Sequence, residues 1–275
     1  MFLITFYTSK IMKKTMKFFA VAVMASLAAV ACNKDNGGNK DNGGNNNGGN
    51  TDVEGVVIDG NFDDWAKLPE TDVVTVKVDA EATEQALRTL KFYDTKETIY
   101  VYAECDPASV GTEFDANRDT YWDLENTQRP LRLVFDTDND AETGGYYSNK
   151  WSEAGFDALV DVYIYADAGK IKAAWSEYWH YKEAEEAGKN FVDTISENES
   201  MRNQLVAIEN VAGTLVKGWY SIEFAIDKVN FPDLGKQVNV ASTLMFGKAW
   251  GEPGALPSVK KGAGVVTDPI HLTLK

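Results

Sequence analysis

Residues 158–165 read Ala-Leu-Val-Asp-Val-Tyr-Ile-Tyr. Taken two at a time, Ala158, Val160, Val162 and Ile164 fall on one side, while Leu159, Asp161, Tyr163 and Tyr165 fall on the other. An extended strand separates these sets, whereas a 3.6-residue period would mix them. The same alternation sets Tyr220, Ile222, Phe224 and Ile226 against Trp219, Ser221 and Glu223. By this criterion strands are predicted at Val56–Ile58, Val73–Val78, Leu87–Tyr93, Thr98–Cys105, Leu131–Phe135 and Ala158–Tyr165. Further strands follow at Ile171–Trp179, Gln204–Ile208, Thr214–Ile226, Val238–Phe246 and Ile270–Leu274. No long stretch has helical periodicity, and Glu183–Ala187 is at most a turn or two of helix. Many short strands punctuated by Gly, Asn and Asp predict an all-β chain folded as an antiparallel β-sandwich.

The sandwich does not begin at residue 1. Residues 1–31 hold Lys10, Lys13, Lys14 and Lys17, then an apolar run from Phe18 to Ala31, and no acid. That is the layout of a secretory signal, and Met12 or Met16 would each give a more ordinary start. The run is shorter than the roughly 20 residues a spanning helix needs. Leu27-Ala28-Ala29-Val30-Ala31-Cys32 resembles a bacterial lipobox, which implies lipidation of Cys32 and a membrane held through that lipid. Residues 33–38 and 39–44 each read Asn-Lys-Asp-Asn-Gly-Gly, Asn-Asn-Asn-Gly-Gly-Asn completes the run, and nothing in it could form a core, so 32–50 reads as a flexible tether. Its ends would lie about 25 Å apart. The Lys-Asp pair beside the lipid resembles the surface-export signal of Bacteroidetes lipoproteins, which implies an outer-membrane and surface-exposed location. Residues 51–275 are then one β domain.

Formal charge is −15, and losing the four signal lysines takes it to −19. Such a surface repels nucleic acid and anionic lipid. Once Cys32 is lipidated, Cys105 is the one remaining cysteine, so no intrachain disulfide forms, and its place in an alternating strand predicts a buried apolar group.

Between the strands 131–135 and 158–165 lies a loop with Asp136, Asp138, Asp140 and Glu142, followed by Gly144 and Gly145. Alternate carboxylates running into glycines suit Ca²⁺, which takes 6–8 oxygen ligands from a backbone free to wrap it. An EF-hand is excluded: a strand precedes the loop, Ala141 stands where the obligatory glycine belongs, and Tyr147 replaces the bidentate glutamate. The expected ligands are Asp136, Asp138 and Asp140, with Asp157 reaching from the next strand and Glu142 less well placed; the alternative is a solvated acidic turn. Asp115–Asp119 has the same spacing, but Arg118 within it could satisfy the carboxylates.

Five stretches in order carry a resemblance. Ile58-Asp59-Gly60-Asn61-Phe62-Asp63-Asp64-Trp65 comes first, then Leu90–Asp94 with Thr98–Ala103. Phe135–Asn139 with Gly155-Phe156-Asp157, Gly218–Ile226 and Gly254–Pro257 follow. Together they resemble the family 9 carbohydrate-binding modules and their DOMON-like relatives over most of 56–257. The resemblance implies a jelly-roll-like sandwich, bound calcium and aromatic rings that clasp the end of a sugar chain; it does not imply catalysis. Trp65 itself is expected to plug the core with its N–H bonded nearby.

Sugar presents a flat face of C–H groups, so it needs exposed, rigid rings with polar groups at the edge. Of seven tryptophans, Trp151 and Trp250 lie in polar, glycine-containing loops, Trp122 in an acidic loop, and Trp175 and Trp179 on one side of a strand. These five are the candidate carbohydrate-binding residues, at least two of them expected to be exposed together; the alternative for each is strand packing. No nucleophile elbow, zinc-protease motif or phosphate-binding glycine loop is present, so no catalytic residue is assigned. The chain is thus expected to be a non-catalytic, calcium-containing carbohydrate-binding lipoprotein of the cell envelope, working beside other glycan-uptake proteins. Two alternatives are a calcium-stabilised adhesion or scaffold protein and a haem-binding electron-transfer domain with Met245 and His271 or His180 as axial ligands.

Overall fold

The computed structural model describes residues 55–117, 120–145, 147, 150–151, 155–180, 202–203, 211–231, 234–259 and 267–275. The signal, Cys32, the tether, the predicted strand at 204–208 and the helical turn at 183–187 lie outside the described residues.

Among the described residues, twelve antiparallel strands form two packed layers. The first layer contains β1 (Val73–Lys77), β2 (Leu87–Asp94), β3 (Thr98–Cys105), β9 (Trp219–Asp227) and β8 (Val211–Val216), in that spatial order. The second contains β6 (Lys170–His180), β5 (Ala158–Asp167), β4 (Arg129–Asp136), β10 (Gln237–Phe246) and β11 (Gly251–Leu256). Two short strands complete it, β7 (Arg202–Asn203) on β6 and β12 (Ile270–Thr273) beside the start of β10. The layers join at one edge where β6 and β8 share the pairs Lys170–Thr214 and Ile171–Gly213. At the other edge Gln85 bridges Gly254, and Ala86 N–H donates to Pro253 O at 3.0 Å. That approach requires glycine, since a Cβ on Gly254 would stand 2.3 Å from Leu87 N. Among the described residues there is no α-helix.

The alternation read from sequence is what builds the interior. Leu90, Phe92, Ile99, Val101, Ile222, Phe224 and Ile226 face Leu131, Leu133, Phe135, Val160, Val162, Ile164, Val238 and Val240 across the sandwich. Each such side chain, fully buried, contributes about 1.5–3 kcal/mol. Cys105 is buried with them, and burial pushes its thiol pKa up.

Both outer faces carry a further small core. Over the first layer, Val56, Trp65 and Leu68 pack on Tyr93 and Tyr102. The buried Glu223 carboxylate accepts from Trp65 Nε1 (2.9 Å), Asp59 N (3.0 Å) and Gly60 N (2.7 Å), so the Asp-Gly turn is fastened to β9. Trp65 thus has the expected N–H partner, but it caps an outer face rather than the main interior. Over the second layer, the 137–157 loop lays Tyr147, Trp151 and Phe156 on Val134, Leu159, Ala241, Met245 and Ala255.

Three sequence expectations need correction. Val56–Ile58 is not a strand, because it crosses the face of the first layer instead of joining an edge. Thr214–Ile226 is two strands, β8 and β9, turned at Lys217 and Gly218, both in the left-handed region. Gly251–Leu256, to which no strand is assigned from sequence, is edge strand β11, where Pro253 needs no ladder N–H on its outer side.

Candidate functional site

β4 and β5 are neighbours whose last pair at this end is Phe135–Ala158, so Asp136 leaves one strand beside the point where Asp157 enters the other. Asp157 N–H donates to Phe135 O at 2.7 Å, continuing the ladder. The loop between them turns back so that Asp138 joins the two, and one carboxylate oxygen from each of Asp136, Asp138 and Asp157 lies within 4.8 Å of the others. Asp136 and Asp157 are buried and Asp138 is exposed, so the group opens to water on one side.

The arrangement is held by hydrogen bonds. Asp157 Oδ2 accepts from Thr137 N (2.8 Å) and Thr137 Oγ1 (3.1 Å), and Asp136 Oδ2 accepts from Asn239 Nδ2 (2.7 Å). Asn239 Nδ2 also donates to Asn139 Oδ1 at 3.0 Å, and Asn239 Oδ1 contacts His271 Nδ1. Thr143 Oγ1 donates to both oxygens of Asp138 (3.1 and 3.0 Å). Gly144 is required: at φ +57 a Cβ would meet Phe156 O at 2.4 Å and Asp157 Oδ1 at 2.6 Å.

Burial, then the Asp138 and Asp136 charges, push the Asp157 carboxyl up to about 6 against the pull of the Thr137 donors. Burial likewise raises Asp136, opposed by Asn239. Three hard oxygen donors whose mutual repulsion a cation would relieve fit Ca²⁺. Asp140 is not among them. Its carboxylate accepts from Glu142 N (3.0 Å), and what it gives the group is its own N–H, donated to Asp136 Oδ1 (3.2 Å) and Asp138 Oδ1 (3.0 Å). Asn239 was not singled out from sequence, and His271 was considered there only as an axial ligand, because nothing in β10 or β12 announces which carboxylate they will meet. In the other acidic run, Asp115 closes a turn on Asn117 N (2.8 Å) and Thr120 Oγ1 (2.7 Å), while Arg118 and Asp119 lie outside the described residues.

Further along the same outer face, Arg132 Nε and Nη2 form a two-point pair with Asp161 at 2.7 Å each. Arg132 Nη1 donates to Tyr147 Oη (3.1 Å), Tyr147 donates to Glu252 Oε1 (2.7 Å), and Lys150 holds Glu252 Oε2 (2.7 Å). This network and the covering loop close the face above Trp151, which is 0% exposed. Trp151 is therefore corrected from candidate ligand ring to core of the loop. A polar, glycine-containing neighbourhood suggested exposure, but the loop folds back and seals the indole inside.

Beyond the network the rings continue: Tyr163 and Trp175 stack with centroids 4.7 Å apart, and Tyr121 meets Trp175 edge-on at 5.0 Å. Tyr121 in turn lies 4.0 Å from Trp122, and Trp122 and Trp250 lie 4.7 Å apart at 33°. Trp122 is 39% exposed, and Trp250 and Trp175 are partly so. Trp122 sits on the 3-10 turn Tyr121–Asp123 and Trp250 just before β11, so two loops bring the pair together. Trp179 pairs with Leu159 by register, and its side chain lies outside the described residues. Tyr121, Tyr163 and Arg129 were missed in sequence. Tyr163 sits on the outward side of β5 already read there, which was the available signal.

Met245 and His271 cannot share an iron. His271 pairs with Asn239, six residues from Met245 along β10, which is about 20 Å. Met245 is a core residue under the 137–157 loop.

No protein-family model matches the sequence, and no curated protein matches it. Among solved structures, the chain is similar to a family 9 carbohydrate-binding module from Caldicellulosiruptor kristjanssonii in complex with cellotriose. The two share 16% identity at a TM-score of 0.33, over 78% of this chain and 96% of that one.

Proposed function

We propose that this chain is a lipid-anchored, non-catalytic carbohydrate-binding protein of the cell envelope, with calcium fixing the 136–157 loop. The observation that carries the ligand class is the part-exposed Trp122–Trp250 pair at the end of a buried ring cluster. A rigid apolar surface of this size at a polar rim suits the C–H face of a pyranose. The rings are too close to grip a sugar between them. Carbon contacts of about 3.5–4.0 Å on each side would require a gap of roughly 7–8 Å, against the 4.7 Å between centroids. The sugar would lie across the outward faces of the pair, rather than being clasped as the sequence resemblance implied.

The rim favours a neutral glycan. Asp123 and Glu125 border the pair, the nearby Lys248 is engaged with Asp123 at 3.6 Å, and the chain carries −15 overall. A sulfated or uronic chain would meet repulsion there. Calcium rests on the Asp136, Asp138 and Asp157 group, which a hard cation would neutralise. Lipidation at Cys32, the outer-membrane location and service beside glycan-uptake proteins rest on the sequence of residues 1–50.

The test is a glycan array of neutral and sulfated oligosaccharides probed with the chain from Thr51 onward, repeated with Trp122→Ala and Trp250→Ala proteins of unchanged far-UV spectrum. Binding to neutral glycans, lost in both variants, is expected. Absence of any glycan binding, or binding that survives both substitutions, would refute the reading.

A further inference from the structure

Arg129 is 1% exposed, yet among the described residues no carboxylate bonds its guanidinium. It spends its five donor N–H groups on five main-chain carbonyls instead. Nε donates to Gly247 O (3.0 Å), and Nη1 to Tyr121 O (3.2 Å) and Gln128 O (3.0 Å). Nη2 donates to Trp122 O (3.3 Å) and Leu124 O (3.0 Å). Three of those carbonyls lie in or just after the Tyr121–Asp123 turn, and the first of them, Tyr121 O, also accepts from Leu124 N at 3.4 Å. A fourth belongs to the Gly247 turn that leads to Trp250. The cation also lies over the Trp250 ring at 5.0 Å and the Tyr121 ring at 5.5 Å.

Trp250 supplies a second observation. Its φ of +54 places a bulky side chain in the left-handed region, a conformation that persists only where its surroundings impose it. Around it, Trp250 N–H closes on Gly247 O at 3.1 Å, the same oxygen that Arg129 holds.

We infer that Arg129 is a positioning residue for the ligand surface: it ties the loop bearing Trp122 to the loop bearing Trp250 and sets the separation and tilt of the two indoles without touching the ligand. That this geometry serves sugar rests on the proposed function; that Arg129 sets it does not. Lysine is not equivalent, because three donors on one nitrogen cannot serve all five carbonyls that the planar guanidinium holds.

Two indoles this close couple their electronic transitions, so the pair should give an exciton couplet in circular dichroism, which Trp122→Phe removes and thereby assigns. Arg129→Lys is expected to abolish or invert that couplet, and to weaken binding of the best neutral glycan by about tenfold or more. A couplet lost with binding unchanged would uphold the positioning role and overturn the carbohydrate reading of this pair. A couplet retained at wild-type strength would overturn the inference. If Arg129→Lys does not fold, hydrogen exchange on the wild-type protein decides. Amides of 121–124 and 247–250 exchanging at a common rate uphold the tie, and independent exchange of the two segments overturns it.

Discussion

Asparagine at position 157 should stabilise the protein without calcium and weaken it with calcium. Asp157 stands at about 6 against an ordinary 3.8, so its ionised form is disfavoured in the folded state by a little over two pKa units. At 1.36 kcal/mol per unit this is about 3 kcal/mol, which water reaching the exposed Asp138 side reduces to about 2 kcal/mol. The sign follows from proton binding. The folded pKa lies above the unfolded one, so the folded state holds the proton more tightly, and metal-free stability falls as pH rises from about 4 to about 6. Asp157→Asn keeps an oxygen for the Thr137 N–H and removes the charge, so the variant recovers that amount at pH 7. It also removes a ligand, and a cation at a hundredfold excess over its Kd contributes about 2.7 kcal/mol to the wild type. Urea unfolding at matched ionic strength, with EDTA or with calcium, at pH 4.5 and pH 7, measures all four corners. The wild type minus variant difference isolates Asp157 from other titrating carboxylates. A variant less stable than wild type in EDTA at pH 7, or a wild type indifferent to calcium, would refute the reasoning.

Trp151→Ala should cost about 3–5 kcal/mol, and Trp122→Ala under about 1 kcal/mol, because one ring is sealed in a core and the other borders water. Trp151→Phe should cost far less than Trp151→Ala, since the buried Trp151 Nε1 has no acceptor among the described residues to lose; thermal denaturation of the three variants checks the order. Asp161→Ala should cost about 3–5 kcal/mol by leaving the buried Arg132 without its two-point partner, while Arg132→Met with Asp161→Leu should recover most of it. Equal losses in the single and double variants would show that the pair itself stabilises the fold.

The period-two sides of β5 and β9 were legible because burial on one face leaves a direct trace in residue type, and the same trace placed Asp136 and Asp157 at adjoining strand ends. Strand β11 was not legible. Gly251, Glu252, Pro253 and Gly254 have the composition of a loop, and they are extended because Leu87 and β10 impose it from either side. Trp151 and Trp250 looked alike in sequence, yet one is sealed within the small core and the other packs at its border, because how far a loop ring is buried depends on a face assembled from β4, β5 and β10. Arg129 gave no signal, since its partners are carbonyls, and every residue type supplies one.

The loop over the second layer brings its own small apolar cluster with it. A lengthened or re-sequenced 137–157 segment need only reseat Tyr147, Trp151 and Phe156 on five side chains of the sheet, leaving the central packing undisturbed. Changes of length or sequence in the covering segment can therefore be absorbed by that small cluster while the two-layer scaffold is inherited intact.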